Sequence, residues 1–174
     1  VFLAFTICYT YQLYYVFVVL TRKPKQLVAK KNHKFAAVIS ARNESAVIGQ
    51  LIHSIKVQNY PSELIDVFVI ADNCTDNTAE VAREAGATVF PRFNTEQVGK
   101  GYALDYGFNV IRSQYADRGY EAYFVFDADN VLDVNYFREM NKTFDNGAVA
   151  STSYRNSKNY DSNWISAGYA VWFL

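Results

Sequence analysis

The chain has 174 residues, with 17 Lys and Arg against 17 Asp and Glu, and a net charge of zero. Its 51% hydrophobic and 20% charged residues exclude a disordered polymer, and its two cysteines exclude a disulfide scaffold. The neutral balance gives no sign of a nucleic-acid partner, and the length suits one domain with a real core.

The charge is unevenly spread. Residues 1–20 carry none. Residues 21–34 hold the bases Arg22, Lys23, Lys25, Lys30, Lys31 and Lys34 and no acid. From Phe35 onward 11 bases face 17 acids, a net of −6. The chain opens on Val1, its only methionine is Met140, and it stops in the apolar run Ala170 to Leu174. We therefore expect a piece of a longer protein, truncated within its 35–174 domain.

The first predicted element is a transmembrane helix over residues 1–20, since about 20 mostly apolar residues cross a bilayer. Its polar exceptions are Tyr9, Tyr11, Gln12, Tyr14 and Tyr15. A signal peptide would carry its positive charges before the apolar run, and here they follow it. A buried core helix is the other reading. The basic linker 21–34 places the following domain on the cytoplasmic face of a cell membrane, where a Cys8–Cys74 disulfide is not expected.

Strands and helices then alternate. Phe35 to Ile39 is a continuous apolar run, the pattern of a strand buried on both faces. Asn43 can cap the next helix, whose Val47, Ile48, Leu51, Ile52 and Ile55 recur at helical spacing. Val67 to Ala71 is a second buried strand. Thr75 or Asp76 can cap a helix through Ala85 that Gly86 ends. Thr88 to Phe90 is a short strand, and Leu104, Phe108, Ile111 and Tyr115 mark a helix. Ala122 to Phe126 is a fourth strand, Asn135 to Asp145 a helix, and Ala148 to Tyr154 a further strand. This order predicts an α/β fold, a mostly parallel sheet flanked by helices, with ligands bound beyond the carboxyl ends of the strands.

The predicted strand ends collect polar chemistry. Asp127-Ala128-Asp129 follows the fourth strand, and two hard oxygen donors there suit Mg²⁺ or Mn²⁺ together with phosphate oxygens. The alternative is a solvated turn. Asp72 ends the second strand, either as a hydrogen-bond acceptor for a base or ribose or as a turn residue. Gly99-Lys100-Gly101 opens a helix whose N-terminus favours phosphate, although no P-loop spacing exists. His33 and His53 stand apart from each other and from cysteine, so a zinc site is not expected.

Taken in order, these motifs resemble the family 2 glycosyltransferases of the GT-A fold. Ser40-Ala41-Arg42-Asn43-Glu44 is similar to the family's P-x-Y-N-E, with Ser for Pro and Arg for Tyr. Ala71-Asp72-Asn73-Cys74-Thr75-Asp76 is similar to D-D-G-S-T-D without its first Asp. Gly99 to Asp105 resembles G-K-x-x-A-L-N, and Asp127-Ala128-Asp129 matches D-x-D. The resemblance implies a nucleotide-sugar site: Ser40, Arg42, Glu44 and Lys100 line it, Asp72 meets the base, usually uracil, Asp127 lies by ribose and metal, and Asp129 ligates Mg²⁺ or Mn²⁺. It implies an inverting transfer to a polysaccharide or lipid acceptor in the cell envelope, with the general base, and any Q-x-x-R-W segment of a processive synthase, following Leu174. Trp164, Tyr169 and Trp172 could stack on sugar or acceptor, or simply pack in a core or a membrane-facing helix. Two rival classes are a nucleotidyltransferase, which lacks its Gly-rich first loop here, and an inert membrane-anchored scaffold that binds sugar nucleotides.

Overall fold

A computed structural model of the protein describes residues 2–22, 26–155 and 164, with the side chains at positions 2, 4, 5, 7 and 8 outside that description. Tyr169 and Trp172, named above as stacking candidates, lie outside the described residues, and Trp164 is exposed.

Helix α1 runs over Phe2–Thr21, matching the predicted span. Its described side chains are nearly all exposed. Among the described residues no helix is long and apolar enough to cross a membrane.

The domain proper alternates β1 (Phe35–Ala41), α2 (Ile48–Lys56), β2 (Ile65–Asp72), α3 (Thr78–Glu84), β3 (Thr88–Arg92), α4 (Lys100–Gln114), β4 (Ala122–Asp127) and α5 (Tyr136–Asp145). The sheet order is β3-β2-β1-β4, and every pairing is parallel. The apolar runs read as buried strands are the central pair: Phe35 to Ile39 are 0% exposed, and β2 is buried over nearly its whole length. Parallel strands are covered on both faces by their crossover helices, so alternation is lost.

The two faces carry separate cores. On one, Ala37, Ile39, Val67 and Val69 pack against Ile48, Leu51, Ile52 and Ile55 of α2, Ala82 of α3 and Phe137 of α5. On the other, Ala36, Val38, Phe68 and Ile70 meet Ala103 and Ile111 of α4. At Gly107 of α4 an added Cβ would lie 2.5 Å from Ile70 Cδ1, so helix and sheet approach as closely as a missing side chain permits.

Two expectations need correction. Asn43 does not cap α2: the residue before that helix is Val47, and no side chain caps it. Asn43 takes a left-handed conformation (φ 56°) and its side chain turns to the next strand's loop. The strand expected over Ala148 to Tyr154 does not form. That stretch instead lines a cleft with β4, Val149 being fully exposed, and no strand among the described residues pairs with it.

Candidate functional site

The carboxyl ends of β1, β2 and β3 are tied by their own loops. Asn43 and Asn73 are the described non-glycine residues with positive φ (56° and 51°), each just past a strand end. Asparagine visits this region at low cost. Asn43 Oδ1 accepts the Thr75 N–H at 2.8 Å, joining the first loop to the second. Asn73 Oδ1 accepts the Asn94 N–H at 2.9 Å and its amide donates to the Asn94 carbonyl at 3.1 Å, joining the second loop to the third. The Glu44 N–H donates to Thr78 Oγ1 at 2.8 Å. Asp76 receives the Thr78 hydroxyl at 2.5 Å and the Thr78 N–H at 3.1 Å; the hydroxyl, chiefly, holds its carboxyl down at about 2. The first two loops are therefore a fixed rim.

Register sets the spacing of the candidate side chains. Ser40 pairs with Ile70 on one side and Asp127 on the other. Asp72 lies opposite Arg92. Asp127 and Asp72 are thus two strand spacings apart across β1 and two residues apart along the strands, about 12 Å in all. Asp72 is buried, and Arg92 Nη1 donates to its Oδ1 at 2.5 Å while Nη2 donates to the Gln97 carbonyl at 2.8 Å. Arg92 was missed in the sequence, although a base following Pro91 at a strand's carboxyl end was a signal available there.

Lys100 is the first residue of α4, after Gly99 at φ 126°. Its ammonium donates to Asp127 Oδ1. Asp127 closes a turn: the Asn130 N–H donates to its carbonyl at 3.0 Å. Asp129 is exposed, and among the described residues its carboxylate meets only a long contact from the Asn130 amide at 3.4 Å. Both acids line one cleft of about 950 Å³ along β4. The segment beyond them is clamped by α2 and its end: Ser54 Oγ accepts the Leu132 N–H at 3.1 Å, and Gln58 donates to the Asp133 carbonyl at 2.8 Å and accepts the Phe137 N–H at 3.0 Å. Gln58 thereby satisfies a free donor at the start of α5.

The fold brings Lys100, Asp127, Asp129 and Ser40 to one end of β1 and β4. It holds Asp72 two strands away against Arg92 and leaves Arg42 exposed on the rim. Among the described residues no group of three or more His, Cys, Asp and Glu gathers to hold a metal. Two carboxylates, one of them open to the cleft, form a partial set of the kind that Mg²⁺ or Mn²⁺ completes with phosphate oxygens and water.

Comparison with known proteins adds four findings. The profile of the family described as "Glycosyltransferase like family 2" matches residues 33–173. A 4,4'-diaponeurosporenoate glycosyltransferase of Staphylococcus aureus (strain USA300) is 52% identical over 68 residues, 37% of this chain and 17% of that protein. The mannosyltransferase PcManGT of Pyrobaculum calidifontis, solved with GDP-Man and Mn²⁺, has a TM-score of 0.57 at 20% identity over 77% of this chain and 39% of that one. TarS of S. aureus, solved with UDP-GlcNAc, has a TM-score of 0.53 at 17% identity over 70% and 38%. The two structural likenesses are likenesses of fold, and the chain spans less than half the length of each of these relatives.

Proposed function

The chain belongs to glycosyltransferase family 2, and on that premise we propose that it moves a sugar from a nucleotide-diphosphate donor, a UDP-sugar first among them, to a saccharide or lipid acceptor. The observation that carries this reading is the meeting of Lys100, Asp127 and Asp129 at the carboxyl end of β4, beside a cleft of about 950 Å³. The relative named for 4,4'-diaponeurosporenoate supports the lipid branch of the acceptor class.

In the proposed mechanism the leaving diphosphate lies between α4 and the β4 turn. Lys100 is a point charge there, and Asp127 orients it. Asp129 and Asp127 would hold Mg²⁺ or Mn²⁺, which when bound neutralises charge growing on the diphosphate. Asp72, steadied by Arg92, faces the base, and Ser40, Arg42 and Glu44 border the nucleotide. The acceptor hydroxyl attacks from the face opposite the diphosphate and inverts the anomeric carbon. Its proton passes to an acidic general base.

We further propose that α1 anchors this domain at the cytoplasmic side of a cell membrane. Its 20 residues carry no charge and rise about 30 Å, and the bases of 21–34 follow directly.

Calorimetric titration of the longest expressible chain with uridine diphosphate, with and without Mn²⁺, tests the site. Wild type should bind more tightly with Mn²⁺, and Asp129→Asn should lose about tenfold or more of that metal-dependent gain. Equal affinity of the two proteins in Mn²⁺ would overturn the metal assignment. Absence of nucleotide binding under every condition would overturn the donor reading.

A further inference from the structure

At the end of the sheet opposite Asp127 and Asp129, the segment entering β1 is held through one buried ring. His33 is 6% exposed. Its Nδ1 lies 2.8 Å from Glu121 Oε2, just before β4, and its Nε2 lies 2.8 Å from Asp145 Oδ1, the last residue of α5. The ring stands edge-on to Phe144 at 4.8 Å and beside Phe35. An ionised carboxylate only accepts, so both contacts are hydrogen bonds only when both ring nitrogens carry hydrogen.

The surrounding charges fit that state. Lys31 Nζ donates to Glu121 Oε2 at 2.8 Å. The Lys30 and Lys34 backbone N–H groups donate to Asp145 and Glu121, while Lys34 Nζ turns to Asp66 at 3.8 Å. Lys31, first, and His33 hold the Glu121 carboxyl near 2, and the Lys30 N–H and His33 hold that of Asp145 below its ordinary range. Both acids therefore stay ionised around neutrality. Asn141 and Tyr60 complete the shell: Asn141 Oδ1 accepts the His33 N–H at 3.1 Å, and the Tyr60 hydroxyl donates to the His33 carbonyl at 2.7 Å. Burial pushes the Tyr60 hydroxyl up to about 12, so it does not titrate with them. With the ring cationic, two acids meet two cations. With the ring neutral, one nitrogen of this buried ring turns a lone pair toward a carboxylate oxygen, and a bond to a charged group is lost.

We propose that His33 is a proton-operated pin: doubly protonated, it locks the segment 28–34 that follows α1 onto Glu121 and Asp145, and on losing a proton it lets that segment loosen from the base of the domain. The sign follows from which state is favoured. Both contacts need a hydrogen on each ring nitrogen, so the locking weakens as the ring gives up a proton with rising pH.

Hydrogen exchange of the full chain, read on a peptide covering residues 26–34 and corrected for intrinsic exchange, tests this between about pH 5.5 and about pH 8. Wild-type protection should fall about tenfold across that range, while a peptide from β1 and β2 keeps its own. His33→Gln should show a flat, low profile. Glu121→Gln, a change at a more open position, should keep the fold and flatten the profile in part, so it decides the matter if His33→Gln does not fold. A pH-independent wild type, or a wild-type slope retained in both variants, would overturn the proposal.

Discussion

Arg92 and Asp72 face each other across β3 and β2 with side chains only 6% and 5% exposed. Such a pair adds little net stability over well-packed apolar residues, but breaking it leaves a buried charge without a partner. Asp72→Ala should therefore cost about 3–5 kcal/mol, read as a shift of the urea midpoint at constant slope. Arg92 engages Oδ1, so in the proposed function Oδ2 is the oxygen that would meet a nucleotide base. The same variant, under conditions where it stays folded, should lose more affinity for uridine diphosphate than for bare diphosphate. Equal losses would argue that Asp72 only holds Arg92. The sequence made Asp72 legible, because an acid closing an apolar strand is conspicuous. It did not reveal the roles of Asn43 and Asn73, because the bonds they make reach 32 and 21 residues away and leave no local pattern.

The position of Lys100 depends on how α4 lies on the sheet. An added Cβ at Gly107 would fall 2.5 Å and 2.7 Å from the two outer carbons of Ile70, itself fully buried. Gly107→Ala gains about 1 kcal/mol of helix propensity, against about 1–3 kcal/mol for overpacking. A net loss of about 1 kcal/mol is expected by thermal unfolding, and it should shrink in an Ile70→Val background, which removes the clashing methyl. Cost unchanged in that background would mean that the helix, not Ile70, gives way. At this scale the sequence was most legible: strands buried on both faces read as unbroken apolar runs, and amphipathic helices as periodic ones. The stretch Ala148 to Tyr154 read as a strand for the same reason, but a strand also needs a neighbour, which its own residues cannot specify.

At the scale of the whole molecule, α1 and the domain have different preferred surroundings. The helix leaves large apolar side chains such as Leu13, Phe17 and Leu20 in solvent, whereas the domain buries Phe35, Phe68, Phe137 and Ile39 in its core. Deleting residues 2–21 should move the protein from the membrane pellet to the supernatant, and continued sedimentation with membranes would show that α1 is not the anchor. The strand order β3-β2-β1-β4 also dictates a sequence of events during synthesis. The β1, β2 and β3 trio is complete once Arg92 has emerged, while the other flank of β1 must wait for Ala122 to Asp127, whose pairing closes a loop back to Phe35. Until then the backbone groups of Phe35 to Ser40 along that flank have no sheet partner. Because distant parallel pairings form slowly, the nascent chain passes through a stage with an adhesive open edge, and a ribosome pausing before residue 122 would prolong its exposure to chaperones and to other unfinished chains.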